Sequence, residues 1–155
     1  MTPAAISRAL TDSLRLSQPP IAICFADEVP AGVDVFANAV PAGCRFWQEA
    51  AKGVFATVSS NHDLCSIGIY THNLDTTPAQ QQDLGAALKV FADLGYVRPE
   101  DIPMIPVLAS KPKVVVYGPL ESVPLPPDVV LLLKYGYREL FFVLSGHDFL
   151  GKKKS

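Results

Sequence analysis

The sequence lacks two features that would assign it to a broad class of partner. It has no excess of basic charge, because 13 Lys and Arg residues are set against 15 Asp and Glu residues and the net charge is −2. A surface that holds a phosphate backbone normally carries a positive patch, so we expect no nucleic-acid partner. It also has no run near the roughly 20 apolar residues of a membrane span, and the apolar run at residues 129–133 has only the length of a strand. We therefore expect no membrane partner.

An export signal and a cysteine framework are missing as well. Residues 1–16 carry two arginines in an amphipathic stretch, with no unbroken apolar segment and no small-residue cleavage site behind it. Three cysteines, an odd number in a chain of 155 residues, do not make a disulfide-stabilised scaffold. These absences favour a cytoplasmic protein.

The short motifs that identify common enzyme classes do not occur. There is no G-x-G-x-x-G or P-loop pattern for phosphates and no G-x-S-x-G for a nucleophilic serine. There is also no H-E-x-x-H or C-x-x-C for a metal or redox centre. The sequence therefore predicts no particular reaction, and whether the protein is an enzyme stays open.

What the sequence does contain is a pattern of alternating elements and enough apolar residues, 49%, for one core. Helical stripes separate four short apolar and β-branched segments, which predict strands at residues 21–25, 54–58, 114–117 and 129–133. We predict an α/β or α+β fold, with a mixed β-sheet covered by helices. Residues 1–150 are expected to form a single domain, and the Gly-Lys-Lys-Lys-Ser segment at 151–155 a disordered basic tail.

Helix signals occur at several points of the chain. Thr2 followed by Pro3 is typical of a helix start, and residues 77–80 have the form of a capping box. We predict a short helix at residues 45–52 and another at 137–144. Residues 67–70 are compatible with a strand or with the start of a helix.

One group of residues stands out as a candidate site: Cys44, His62, Cys65 and His72. Cys44 comes just before or at the start of a predicted helix, where free N–H groups favour a thiolate. His62 and Cys65 are three positions apart, a spacing that lets both reach one ion from a turn. Two thiolates and two imidazoles suit tetrahedral zinc, and we take Cys44, Cys65 and His62 as the predicted metal ligands. Cys24, between apolar strand residues, is expected to be a core cysteine instead.

Three functions remain compatible with these residues. The first is binding of a metal ion, zinc for example, or of an iron–sulfur cluster. A cluster needs four protein ligands, so it would have to be shared between the chains of a homo-oligomer. The second is thiol redox or transfer chemistry, with Cys44 as nucleophile and Cys65 as its resolving partner. The third is a non-catalytic module that binds a small molecule in a pocket walled by Phe46, Trp47 and Tyr70.

The first two functions share a geometric requirement. A helix, a tight turn at Gly53 and a returning strand would bring Cys44, before the helix, close to Cys65, after the strand. We predict that the two sulfurs lie within about 10 Å of each other, as shared ligation or disulfide exchange needs.

The order of several segments resembles the domain of unknown function 169 family of archaeal and bacterial proteins. The resemblance covers roughly residues 14–134. The matching segments are LSQPPIAICF at 16–25, GCRFWQEA at 43–50 with Gly53, LCSIG at 64–68, VVVYGPL at 114–120 and PDVVL at 127–131.

The resemblance implies that cysteines equivalent to Cys44 and Cys65 recur as a pair. It implies no established activity, and it does not extend to His62. Similar proteins usually continue well past the segment that matches residues 137–144, so the chain is expected to be a C-terminally short member.

Overall fold

The structure, a computed structural model, describes residues 2–40, 43–134 and 140–145, excluding the side chains of Cys44 and of residues 140–145. Within these ranges the chain forms helices on both sides of one sheet. The α-helices are α1 (Pro3–Leu14), α2 (Phe46–Ala50), α3 (Ser66–Thr71) and α4 (Pro78–Asp93). The strands are β1 (Ile21–Ala26), β2 (Phe55–Thr57), β3 (Val114–Pro119), β4 (Val129–Lys134) and β5 (Leu140–Ser145). Three 3-10 turns span Gly43–Arg45, Ser59–His62 and Pro99–Met104.

The five strands form one sheet in the order β2-β3-β1-β4-β5. Each neighbouring pair of strands is antiparallel, and Ile23 lies opposite Tyr117 on one side and Val129 on the other. Parallel pairing is limited, among the described residues, to an isolated bridge between Val35 and Ala56. The fold is therefore α+β, within the class that the sequence predicts, but the described sheet is antiparallel rather than the mixed sheet predicted.

All four predicted strands are confirmed, but the helix predicted at residues 137–144 is wrong where the structure describes it. Residues 140–145 form β5, which pairs with β4 along its whole length. The aromatic and β-branched side chains of this segment favour a strand, and β4 offers a free edge to pair with. Residues 137–139 and the predicted tail at 151–155 lie outside the described residues.

Both faces of the sheet are covered, which explains why its strands read as apolar at nearly every position. Alternate residues of β1 and β3 point to opposite sides, so that Ile21 and Val115 enter one core while Ala22 and Val116 enter the other. The first core is closed by α2 and α3, and the second by side chains of α1. The site described below lies in the first core.

The predicted helix starts are confirmed by their hydrogen bonds. Thr2 Oγ1 accepts from the backbone N–H of Ala5, and Thr77 and Gln80 form a reciprocal capping box. Residues 67–70, compatible with either element from the sequence, belong to α3. None of the helices in the described part of the chain has the length and apolar character needed to cross a membrane.

Candidate functional site

The candidate site lies where the chain leaves β2 and turns toward α3. The 3-10 turn Ser59–His62 directly follows the strand, and Asn61 holds it in place. The Asn61 side chain accepts from Val58 N at 2.9 Å and donates to the carbonyl of Phe36 at 2.7 Å. Because both ends of this amide are used, the turn has little freedom, and it directs His62 into the core.

His62 is completely buried. Its ring packs edge-on against Phe46 of α2, with 5.0 Å between the ring centroids. Its Nε2 lies 3.3 Å from the hydroxyl of Thr57. A histidine in such surroundings is unusual, because burying a polar ring is costly unless its nitrogens find partners.

The hydrogen bonds of Thr57 determine the tautomer of His62. The Thr57 hydroxyl donates its only hydrogen to the carbonyl of Val115, 3.2 Å away on β3. It can therefore only accept from His62, which places the imidazole hydrogen on Nε2. The other ring nitrogen, Nδ1, keeps a bare lone pair, and it is buried without a hydrogen-bond partner among the described residues.

Burial also keeps this imidazole neutral. It lowers the pKa of His62 from 6.5 to about 4, the neighbouring His72 acts in the same direction, and Asp63 opposes them. At neutral pH the Nδ1 lone pair is therefore unprotonated and available to accept a hydrogen bond or to bind a metal ion.

The thiol of Cys65 lies near this nitrogen. A methyl group placed on Gly68 would lie 3.1 Å from Cys65 Sγ and 3.4 Å from His62 Nδ1. A methyl group on Gly43 would lie 2.8 Å from the same nitrogen and 3.8 Å from the same sulfur. The sulfur and the nitrogen thus share a small space that two glycines leave open.

His72 approaches the site from the end of α3. Its ring centroid is 5.8 Å from that of His62 and 5.7 Å from that of Phe25. Burial lowers its pKa, while the Gly68 carbonyl acts in the opposite direction. Its Nδ1 likewise has no hydrogen-bond partner within the described chain. The two imidazoles are therefore neutral neighbours.

The side chain of Cys44, the remaining predicted ligand, lies outside the described residues. Its backbone belongs to the turn Gly43–Arg45, directly after Gly43, where an added methyl group would meet His62 and Cys65. The distance between the two sulfurs therefore stays a prediction. Among the side chains that are described, no three His, Cys, Asp or Glu residues converge closely enough to hold a metal ion. A metal site here needs Cys44 as a ligand.

Cys24 lies in the core, as predicted. It is 1% exposed on β1, and its thiol points toward the carbonyl of Leu125 at 3.8 Å. Burial, followed by the nearby charge of Asp128, raises its pKa to about 12. A thiol that stays protonated is a poor nucleophile and a poor ligand, so Cys24 is structural.

The three aromatic residues predicted to wall a ligand pocket have different surroundings. Phe46 is fully buried among core aromatic rings, and Trp47 packs at the edge of the same core. Tyr70 instead lines an open cavity of about 340 Å³ that also contains Asn73 and Lys111.

Comparison with known families agrees with the order of segments in the sequence. The model of the family described as DUF169, Uncharacterised ArCR, COG2043, matches residues 9–138, which include every residue of the candidate site. The chain belongs to the DUF169 family. No curated protein and no solved structure matches the chain. Membership in the family therefore brings a name and no activity.

Sequence reasoning missed Thr57, Gly43 and Gly68, the residues that give the site its shape. Thr57 sits at the end of an apolar strand and gives no sign of a role in orienting a histidine. Gly43 directly precedes Cys44, and Gly68 lies three residues after Cys65. A residue without a side chain so close to candidate ligands was the available signal.

Proposed function

We propose that this DUF169 protein binds a thiophilic transition-metal ion, zinc in the first instance, through His62 Nδ1, Cys65 and Cys44. The supporting observation is the buried His62 Nδ1, which has no hydrogen-bond partner among the described residues and lies, like Cys65 Sγ, beside the bare backbone of Gly43 and Gly68. Native structures rarely leave a buried polar atom unpaired without a reason. A metal ion between the nitrogen and the sulfur would satisfy it.

The environment of His62 matches that of known metal ligands. A ligating histidine usually donates its second ring N–H to a fixed oxygen, which sets the tautomer. Here the Thr57 hydroxyl is that oxygen, and the Val115 carbonyl fixes the hydroxyl in turn. The neutral imidazole loses no proton on binding, so only the thiols must ionise.

Three protein ligands favour a single ion over a cluster. An iron–sulfur cluster normally takes four protein ligands, and Cys24, the remaining cysteine, is tied into the core. Two thiolates and one imidazole leave the fourth tetrahedral position of zinc for a water or a small molecule. The proposed site is therefore able to take a small-molecule ligand directly on the metal.

The test is a competition titration with a chromophoric zinc chelator on reduced protein. We expect tight binding of one ion per chain, weakened about a hundredfold or more by Cys44→Ser, Cys65→Ser or His62→Gln, since each removes one of three ligands. Cys24→Ala is the matched control and should bind zinc as the wild type does.

Circular dichroism confirms that each variant is folded before it is compared. Weak binding by the wild-type protein, or affinity that the three site variants leave unchanged, would overturn the proposal.

Thiol exchange is a second candidate, because Cys44 directly follows Gly43, where an added methyl group would lie 3.8 Å from Cys65 Sγ. In this reaction the thiolate of Cys44 attacks a substrate disulfide and releases one thiol. Cys65 then attacks the mixed disulfide, its proton passing to the departing substrate thiolate, and forms a Cys44–Cys65 disulfide as the second thiol leaves. A quantitative conversion to that disulfide by a small disulfide reagent, with no metal affinity, favours this candidate over the first.

Both candidates need reduced thiols, and we propose a cytoplasmic location for that reason. Cytosolic glutathione and thioredoxin keep free cysteines reduced, whereas secreted proteins tend to oxidise them. Fractionation of cells that express the tagged chain tests this assignment.

A further inference from the structure

The second half of α4 carries apolar side chains that the described chain does not cover. On the side of α4 that faces the protein, Gln80 is buried and Leu84 and Leu88 are half-buried. The same side of the helix continues to Phe91 and Leu94, which are 41% and 66% exposed. Because α3 has only 6 residues and α4 has 16, the second half of α4 extends beyond its neighbour.

The chain after α4 adds to this surface. We define the α4 patch as the four exposed large apolar side chains at and just after the C-terminal end of this helix: Val90, Phe91, Leu94 and Tyr96. Tyr96 is 79% exposed, and its ring lies edge-on to that of Phe91 at 6.4 Å. Not one residue between 81 and 110 is buried in the described structure. This segment therefore gains little stability from its own core.

We propose that the α4 patch is the interface of a twofold-symmetric homodimer, in which α4 packs against α4 of a second copy. The area supports this occupant. The four side chains expose on the order of 450 Å² per protomer, a little over half of the roughly 800 Å² that each partner buries in a standard interface. Patches of this size on a water-facing surface usually mark an interaction site.

The charges around the patch also favour a second copy over a charged partner. Lys89 pairs with Asp93 at 2.6 Å, and Arg98 pairs with Asp101 at 2.7 Å within the same chain. The basic groups at the rim are thus already neutralised, which removes the attraction for nucleic acid or an anionic bilayer. In a twofold interface the patch of one copy packs against the same patch of the other. A patch whose charges are paired locally can do so without like-charge repulsion.

The test is sedimentation analysis of the full chain over a wide concentration range. We expect a reversible dimer for the wild type and a dimer dissociation constant raised at least about tenfold by Leu94→Glu. Leu94→Met should keep the dimer because it keeps apolar volume. Val35→Glu, at a position 45% exposed and outside the patch, is the control for adding a charge and should also keep it.

Hydrogen exchange adds an independent readout. Amides of residues 86–96 should exchange faster on dilution of the wild type and show no dilution effect in Leu94→Glu. A wild type that stays monomeric at every concentration, or a dimer that Leu94→Glu leaves intact, overturns the proposal. Zinc affinity is measured on the same variants and should not change, so the dimer and the metal site can fail separately.

Discussion

At the scale of single residues, the candidate site depends on which atoms carry hydrogen. His62 is neutral because it is buried, and its lone pair is on Nδ1 because Thr57 has already given its hydrogen to β3. Sequence spacing was enough to nominate His62 and Cys65 together. It could not predict the tautomer, because that depends on a hydrogen bond between residues 57 and 115, which only the folded sheet brings together.

Gly68→Ala tests whether the space between His62 and Cys65 is functional. The added methyl group would sit 3.1 Å from the Cys65 sulfur and 3.4 Å from the His62 lone pair. We expect zinc affinity to fall at least about tenfold, because ligands must be held within a few tenths of an ångström of their working geometry. The measurement is the chelator competition described above.

Gly85→Ala is the control for a helix glycine, because an added methyl there meets nothing within 4 Å. It should keep zinc affinity and raise the free energy of unfolding by about 0.5–1 kcal/mol. Equal zinc affinity in the two glycine variants would show that the gap beside Cys65 has no role in binding.

The pH dependence of stability tests the neutral state of His62. In metal-free protein, the unfolded chain protonates this histidine below about pH 6.5, whereas the folded chain does so only near pH 4. The unfolded state therefore binds more protons in this window, and the free energy of unfolding falls as the pH is lowered through it. We expect His62 to account for about 3 kcal/mol of this fall.

Urea unfolding at several pH values between 7 and 4, with His62→Gln for comparison, measures the effect. The lowered pKa of His72 adds to the fall in both proteins. Parallel curves for wild type and His62→Gln would mean that His62 titrates normally in the folded state.

At the scale of elements, local signals predicted the helix starts and the four strands well. The capping box at Thr77 and the β-branched run of β3 are each encoded within a few residues. Segments whose identity depends on a partner were not predictable in the same way. Residues 140–145 form a strand because β4 has an edge with which they can pair. The sequence of α3 was ambiguous because 6 residues are too few to show a clear helical periodicity.

Thr77→Ala tests the start of α4. The Thr77 hydroxyl accepts from Gln80 N at 3.2 Å, and the Gln80 side chain accepts in return from Thr77 N at 2.8 Å. Loss of the cap should lower the free energy of unfolding by about 1 kcal/mol. Thr76→Ala, which removes a hydroxyl outside the cap that accepts only from the side chain of Gln81 in the described structure, should have a smaller effect in the same chemical denaturation experiment. Equal effects would show that the capping box does not stabilise the helix.

At the scale of the whole molecule, one antiparallel sheet separates two cores with different contents. The core closed by α1 contains a cysteine with a raised pKa and no histidine among its buried residues. The core closed by α2 and α3 contains the aromatic rings that pack around His62. The fold class followed from the alternation of elements in the sequence. The sequence did not predict which side of the sheet holds the site, because that depends on which side chains of each strand point to each face.

The central claim is that one metal ion is held by His62, Cys65 and Cys44, and X-ray absorption spectroscopy of the zinc-loaded protein tests it most directly. We predict a mixed first shell with two sulfurs near 2.3 Å and one histidine nitrogen at about 2.0–2.1 Å. In His62→Gln the nitrogen contribution from imidazole should disappear while the sulfurs remain. A shell made only of nitrogen and oxygen, or an imidazole signal that survives the loss of His62, would contradict the account.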